Sequence, residues 1–131
     1  TDGNVRKDFP GGWADDKQNA FKAEGRTKAQ NDMFRWTSRL LHWRQGNEVI
    51  TKGTQTQFCS HKGIYVVSRQ YKGKSVMTVI NGKNNAAELD VKRYAEIIGD
   101  AQKAVDVTTG RNVIISHNVK LRPRQTMVLE F

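Results

Sequence analysis

Residues able to do chemistry are few in this chain, and their spacing is poor. Acid/base work by paired carboxylates takes two such groups about 5–10 Å apart on rigid supports. The candidates are Asp2, Asp8, Asp15 and Asp16, all in the opening segment. Asp15 and Asp16 adjoin each other and precede Lys17, the pattern of an exposed turn, so structural or capping roles suit this group better. His42, His61 and His117 lack ligand spacing, and Cys59-x-His61 alone is half of a metal site at most. Nucleophilic catalysis has no G-x-S-x-G to rest on, and one cysteine with scattered histidines is no dyad. The glycine-rich stretch Asp8-Phe9-Pro10-Gly11-Gly12-Trp13 lacks the Gly-Lys-Ser/Thr that grips a phosphate. No catalytic residue, metal or cofactor is therefore predicted in this chain.

Charge is the next signal. The chain carries 22 Lys and Arg against 13 Asp and Glu, a net +9. The excess is spread along the whole length, but no acid stands between Glu48 and Glu88, where Lys52, Lys62, Arg69, Lys72, Lys74 and Lys83 fall. Phosphate-backbone binding needs such cations on one face, interleaved with stacking aromatics. Only Tyr65 and Tyr71 are near, so a solvated basic surface and no nucleic-acid partner is the expectation. No apolar run approaches the ~20 residues of a membrane span, and the opening residues do not resemble a secretory leader. The lone Cys59 excludes an internal disulfide framework.

Three textures position these residues. With 131 residues and 37% hydrophobic content, the chain has the means for one folded domain, or a small domain with an appended segment. It is too short for a (β/α)8 barrel, which takes roughly 250 residues. Residues 1–26 are loop-like. Residues 27–45 are predicted helical: Thr27 with Gln30 three residues later forms a capping box, and Gly46 is a stop. Ala29, Met33, Phe34, Trp36, Leu40, Leu41 and Trp43 cover about 180° of that helix, against the ~100° one sheet needs, so the helix should meet two partners. His42 falls on its polar face. From residue 48 the period turns strand-like, with candidates at 48–51, 54–60, 63–71, 75–81, 86–90, 104–108, 112–116 and 126–131, and a short helical turn near 93–98. Ile64–Tyr71 and Ser75–Ile80 read as a hairpin around Gly73, apolar on both faces and so central in a sheet. Strands this short and this regular predict an antiparallel sandwich. The fold class is therefore mainly β, an antiparallel C-terminal β-sandwich preceded by an irregular loop and one long α-helix.

The opening segment carries a resemblance. Asp2-Gly3-Asn4-Val5-Arg6-Lys7-Asp8-Phe9-Pro10-Gly11-Gly12-Trp13, then Asp16, Asn19-Ala20-Phe21 and Gly25-Arg26-Thr27, resembles the α-amylase superfamily of glycoside hydrolases, in its neopullulanase and cyclomaltodextrinase branch. Leu40, Arg44 and Gly46 match the end of that family's last barrel helix, and Leu121-x-Pro123-x-x-Thr126-x-Val128-Leu129-Glu130 is similar to its final strands. The resemblance implies that residues 1–46 are the remnant of the (β/α)8 barrel (the loop after strand 8 and the last helix) and 47–131 a C-terminal β-sandwich domain.

It implies further that the parent is a retaining hydrolase of α-glucosidic bonds in starch-derived oligosaccharides, with its catalytic carboxylates upstream. This chain alone would be inactive, and its partner would be the catalytic barrel of the same polypeptide. The parent's location stays open between bacterial periplasm and cytoplasm. The one site role the resemblance suggests is a sugar subsite lined by Asp8, Phe9 and Trp13, since loops at that face of a barrel meet substrate. The alternative is that Phe9 and Trp13 pack the loop, that Arg6 pairs with Asp8, and that Gly11-Gly12 supply positive φ. Two other classes remain: a carbohydrate-binding module, for which the strands offer few aromatics (Phe58, Tyr65, Tyr71), and a basic nucleic-acid binder.

Overall fold

A one-turn helix α1 (Asp2–Val5) opens the computed structural model, which describes residues 2–131. The chain divides into two units, Thr1–Arg39 and Leu40–Phe131. In the first, the path from residue 6 to residue 27 is irregular apart from a 3-10 turn at Ala23–Gly25. Polar side chains hold it in place of a core. Asn31 donates from Nδ2 to the carbonyls of Ala23 (2.9 Å) and Arg26 (3.2 Å), and accepts from Arg26 Nε at 2.9 Å. Gly25 is required here, because a Cβ would stand 1.9 Å from the Asn19 carbonyl oxygen.

Helix α2 (Lys28–Gly46) starts as its capping box dictates. Gln30 N–H donates to Thr27 Oγ1 (3.3 Å), and Gln30 Oε1 accepts from Thr27 N–H (2.8 Å), which satisfies two otherwise orphaned donors. None of its 19 residues is buried. Met33, Phe34 and Leu41 are exposed at 64%, 53% and 56%, so the wide apolar stripe meets fewer partners than its breadth calls for. Within the second unit, Leu40 and Trp43 from the last turns of α2 pack on Val49, Val76 and Val128.

Residues 48–51, expected as a strand, are instead helix α3 (Glu48–Lys52). Val49, Ile50 and Thr51 favour strands by side-chain type, but the local signals won. Asn47 Oδ1 accepts from Val49 N–H at 2.9 Å as an N-cap, and Glu48 and Lys52 pair across one turn.

Eight strands follow: β1 (Thr54–Gln57), β2 (Ile64–Tyr71), β3 (Lys74–Asn81), β4 (Ala87–Leu89), β5 (Lys103–Asp106), β6 (Arg111–Ile114), β7 (Val119–Leu121) and β8 (Thr126–Glu130). Six form one antiparallel sheet in the order β1-β2-β3-β8-β5-β6, and β4 pairs with β7 in a second. The β2–β3 hairpin is central as expected, with Tyr71 opposite Lys74. Its two-residue turn puts both Lys72 (φ +49°) and Gly73 (φ +76°) in the left-handed region, the twist that tight hairpins favour. Strand β7 was not anticipated. Between β4 and β5 lie a 3-10 turn (Val91–Tyr94) and helix α4 (Ala95–Ile98), where a helical turn was expected.

The main core contains Val66, Met77, Val79 and Leu129 from the large sheet with Leu89 and Leu121 from the small one, closed by Tyr94 and Ile98. Each such side chain contributes about 1.5–3 kcal/mol by leaving water. Strand β3 is buried on both faces, for Met77 and Val79 enter this core while Val76 joins Val49 and Val128 on the other side. This is the mainly β sandwich that the strand pattern predicts.

Candidate functional site

The loop bearing Asp8, Phe9 and Trp13 is shaped by Asp16. Its Oδ2 accepts from the backbone N–H groups of Gly11 (2.7 Å) and Trp13 (3.2 Å), so this acid acts as a loop cap. Gly11 takes φ +97°, where a Cβ would meet the Asn19 side chain at 2.7 Å. Gly12 has no positive φ. Ala20 N–H then donates to the Pro10 carbonyl at 2.9 Å and returns the chain toward α2.

The three predicted subsite residues are distributed over this loop. Asp8 lines a shallow recess of about 420 Å³ with Pro10, Asp16, Lys17 and Gln18. Phe9 and Trp13 are not among its lining residues. Phe9 packs its ring on Phe21, with centroids 4.9 Å apart and planes tilted by 58°. Trp13 is 65% exposed. Arg6 pairs with Asp2 at 3.7 Å, one helical turn away, and not with Asp8.

Among the described residues no group of three His, Cys, Asp or Glu side chains could hold a metal ion. His61 exchanges backbone hydrogen bonds with Ile64, His117 Nδ1 lies 3.3 Å from Ser116 Oγ, and Cys59 is exposed with a free thiol. No helix of the described residues is long and apolar enough to cross a membrane.

The basic stretch resolves into separate local contacts. Arg69 donates to the Gly53 carbonyl (3.0 Å) and to Gln55 Oε1 (2.9 Å), and the Lys72 ammonium sits 5.2 Å from the centroid of the Tyr71 ring. In the first unit, Asp32 is held below the usual carboxylate range by hydrogen bonds from Lys28 and Arg35, each at 2.6 Å. The phenol of Tyr94 is pushed up by burial, with Arg93 opposing the shift.

A larger cleft, of about 630 Å³, lies in the second unit. The last turn of α2 supplies Trp43, the α3 cap supplies Asn47, the β2–β3 hairpin supplies Tyr71, Lys72 and Lys74, and β8 supplies Glu130. Glu130 is the hub. Its Oε1 accepts from Asn47 Nδ2 at 2.9 Å, and its Oε2 accepts from the Trp43 indole N–H at 3.4 Å. By sequence, Trp43 belongs to an apolar stripe and Glu130 to a terminal strand. Nothing in their spacing, 87 residues apart, brings them together.

Residues 55–130 match the family described as the cyclo-malto-dextrinase C-terminal domain. Similar solved structures include AmyP in complex with maltose, at 19% identity and TM-score 0.66, over 79% of this chain and 21% of that one. Another is the trehalulose synthase MutB from Pseudomonas mesoacidophila MX-45, at 16% identity and TM-score 0.59, over 86% of this chain and 19% of that one. A third is the noncanonic maltogenic α-amylase AmyB from Thermotoga neapolitana, at 16% identity and TM-score 0.62, over 78% and 26%. At these identities the likeness is one of fold. The chain spans roughly a fifth to a quarter of the length of these proteins.

Proposed function

We propose, for a chain that belongs to the cyclo-malto-dextrinase C-terminal domain family, that it is the structural C-terminal part of an enzyme hydrolysing α-glucans or maltooligosaccharides. In this reading, residues 1–46 supply the loop and last helix of a catalytic barrel, and residues 47–131 form the sandwich that covers it. Bond cleavage belongs to carboxylates outside this chain, by a retaining double displacement. The supporting observation is the exposed stripe of α2. Met33, Phe34 and Leu41 leave an apolar helix face in water, and a face of that kind marks a surface that another body covers.

The test is hydrogen exchange on the chain alone and after mixing with a cyclomaltodextrinase barrel truncated before the corresponding loop. Amides of residues 33–41 should slow on mixing while those of β3 stay unchanged. Equal exchange in both states would sink the proposal. We assign Asp8, Phe9 and Trp13 to the rim of a sugar subsite in the assembled enzyme, where the exposed Trp13 indole offers a stacking face. Replacing Trp13 by Ala in that enzyme should raise KM for maltotriose several-fold with kcat nearly kept, and an unchanged KM would return Trp13 to loop packing.

A further inference from the structure

The cleft around Glu130 has a chemistry that the structural role does not use. We infer that it is a binding site for a neutral oligosaccharide of the α-glucan class. The identity of the sugar class rests on the function proposed above. The site itself rests on geometry.

A pyranose presents an apolar C–H face and a rim of hydroxyls that both donate and accept. Its site therefore needs an aromatic or apolar wall beside fixed donors and acceptors. Trp43 and Tyr71 supply the wall. Both also pack against Val49, Val76 and Val128, so their rings are braced before any ligand arrives. Glu130 supplies acceptors. A carboxylate has about four lone-pair positions, and Asn47 and Trp43 occupy two of them, which fixes its orientation and leaves acceptor capacity. Asn47 is fixed in turn, since its Oδ1 accepts from Val49 N–H at 2.9 Å. Lys72 in the tight hairpin turn and Lys74 at the start of β3 supply donors. An acceptor of settled geometry and two exposed lysine donors thus stand beside braced aromatics in about 630 Å³, within the roughly 300–1,000 Å³ range of small-ligand pockets.

The same inventory argues against an anionic ligand. A phosphate drawn by Lys72 and Lys74 would face the Glu130 carboxylate, and Glu48 also lines the cleft. Like charges at such range are repulsive. A neutral polyol satisfies both signs of group at once.

The experiment is a titration of the 131-residue chain with maltotriose, followed through the Trp43 indole N–H signal and the backbone amides. Cellotriose and inorganic phosphate serve as parallel arms. The site predicts a saturable shift of the Trp43 indole and of amides in 71–74 with maltotriose, and little with the other two. Tyr71→Ala should weaken binding about tenfold through loss of the aromatic wall. The more exposed Lys74→Ala, whose fold is less at risk, should weaken it about threefold. No shift with maltotriose, shifts confined to other surfaces, a response to cellotriose or phosphate instead, or wild-type affinity in both variants would each overturn the inference. None of these outcomes touches the structural role, which is read from exchange at α2 on contact with a barrel.

Discussion

Asp106 shows how an acid can be indispensable without being catalytic. It is 2% exposed at the end of β5, and its oxygens accept from Thr108 N–H (3.0 Å), Thr108 Oγ1 (2.8 Å), Thr109 Oγ1 (2.9 Å) and Val128 N–H (3.2 Å). Removing the carboxylate takes this acceptor away from the buried N–H groups of Thr108 and Val128. Asp106→Ala should therefore lower unfolding free energy by about 2–4 kcal/mol, measured by urea denaturation, and a change under 1 kcal/mol would contradict this role. Tyr94 makes a different kind of statement. Burial beside Phe58 raises its phenol above 10.0, so the fold favours the protonated form. The associated stability is fully present below the unfolded phenol's value and is lost as pH rises through the higher folded value. Urea midpoints should fall above pH ~10, and Tyr94→Phe should flatten that limb. An alkaline limb unchanged in Tyr94→Phe would assign it to other groups.

At the scale of elements, local signals were legible wherever they were complete. The Thr27–Gln30 box placed the start of α2 within one residue, because both halves of the motif lie in sequence and both bonds form. Thr27→Ala should cost about 1 kcal/mol of helix stability and speed amide exchange at Gln30, and unchanged exchange there would show that the cap is not holding the end. The β2–β3 hairpin was equally readable, since Gly73 at a tight turn sets the register of eight facing pairs. Residues 48–51 misled because β-branched side chains outweighed the shorter cue of an Asn cap with a Glu–Lys pair. Strand β7 went unseen for another reason: three residues, Val119, Lys120 and Leu121, are too few to display a period. The exposed stripe on α2 was visible as an excess of apolar residues, and the structure shows which of them remain in water.

For the molecule as a whole, the order of loop, long helix and antiparallel sandwich follows from period and turn chemistry, whereas the family is shown over residues 55–130, beyond the opening run Asp2–Trp13 that carries most of the resemblance. The cleft around Glu130 could not be read the same way. It joins the end of α2, a hairpin tip and the last strand, and it is the β3–β8 pairing that sets the hairpin beside the last strand. Folds position function in this way: neighbours that matter are set by topology, not by spacing. On the proposed function, this chain completes a glucan-hydrolysing barrel. The most direct measurement is therefore the rate of maltotriose hydrolysis by a cyclomaltodextrinase barrel truncated before its last loop and helix, with and without this chain. Adding the chain should restore hydrolysis, and Met33→Asp with Leu41→Asp should abolish the restoration. A truncated barrel whose rate is the same with and without the chain would contradict it.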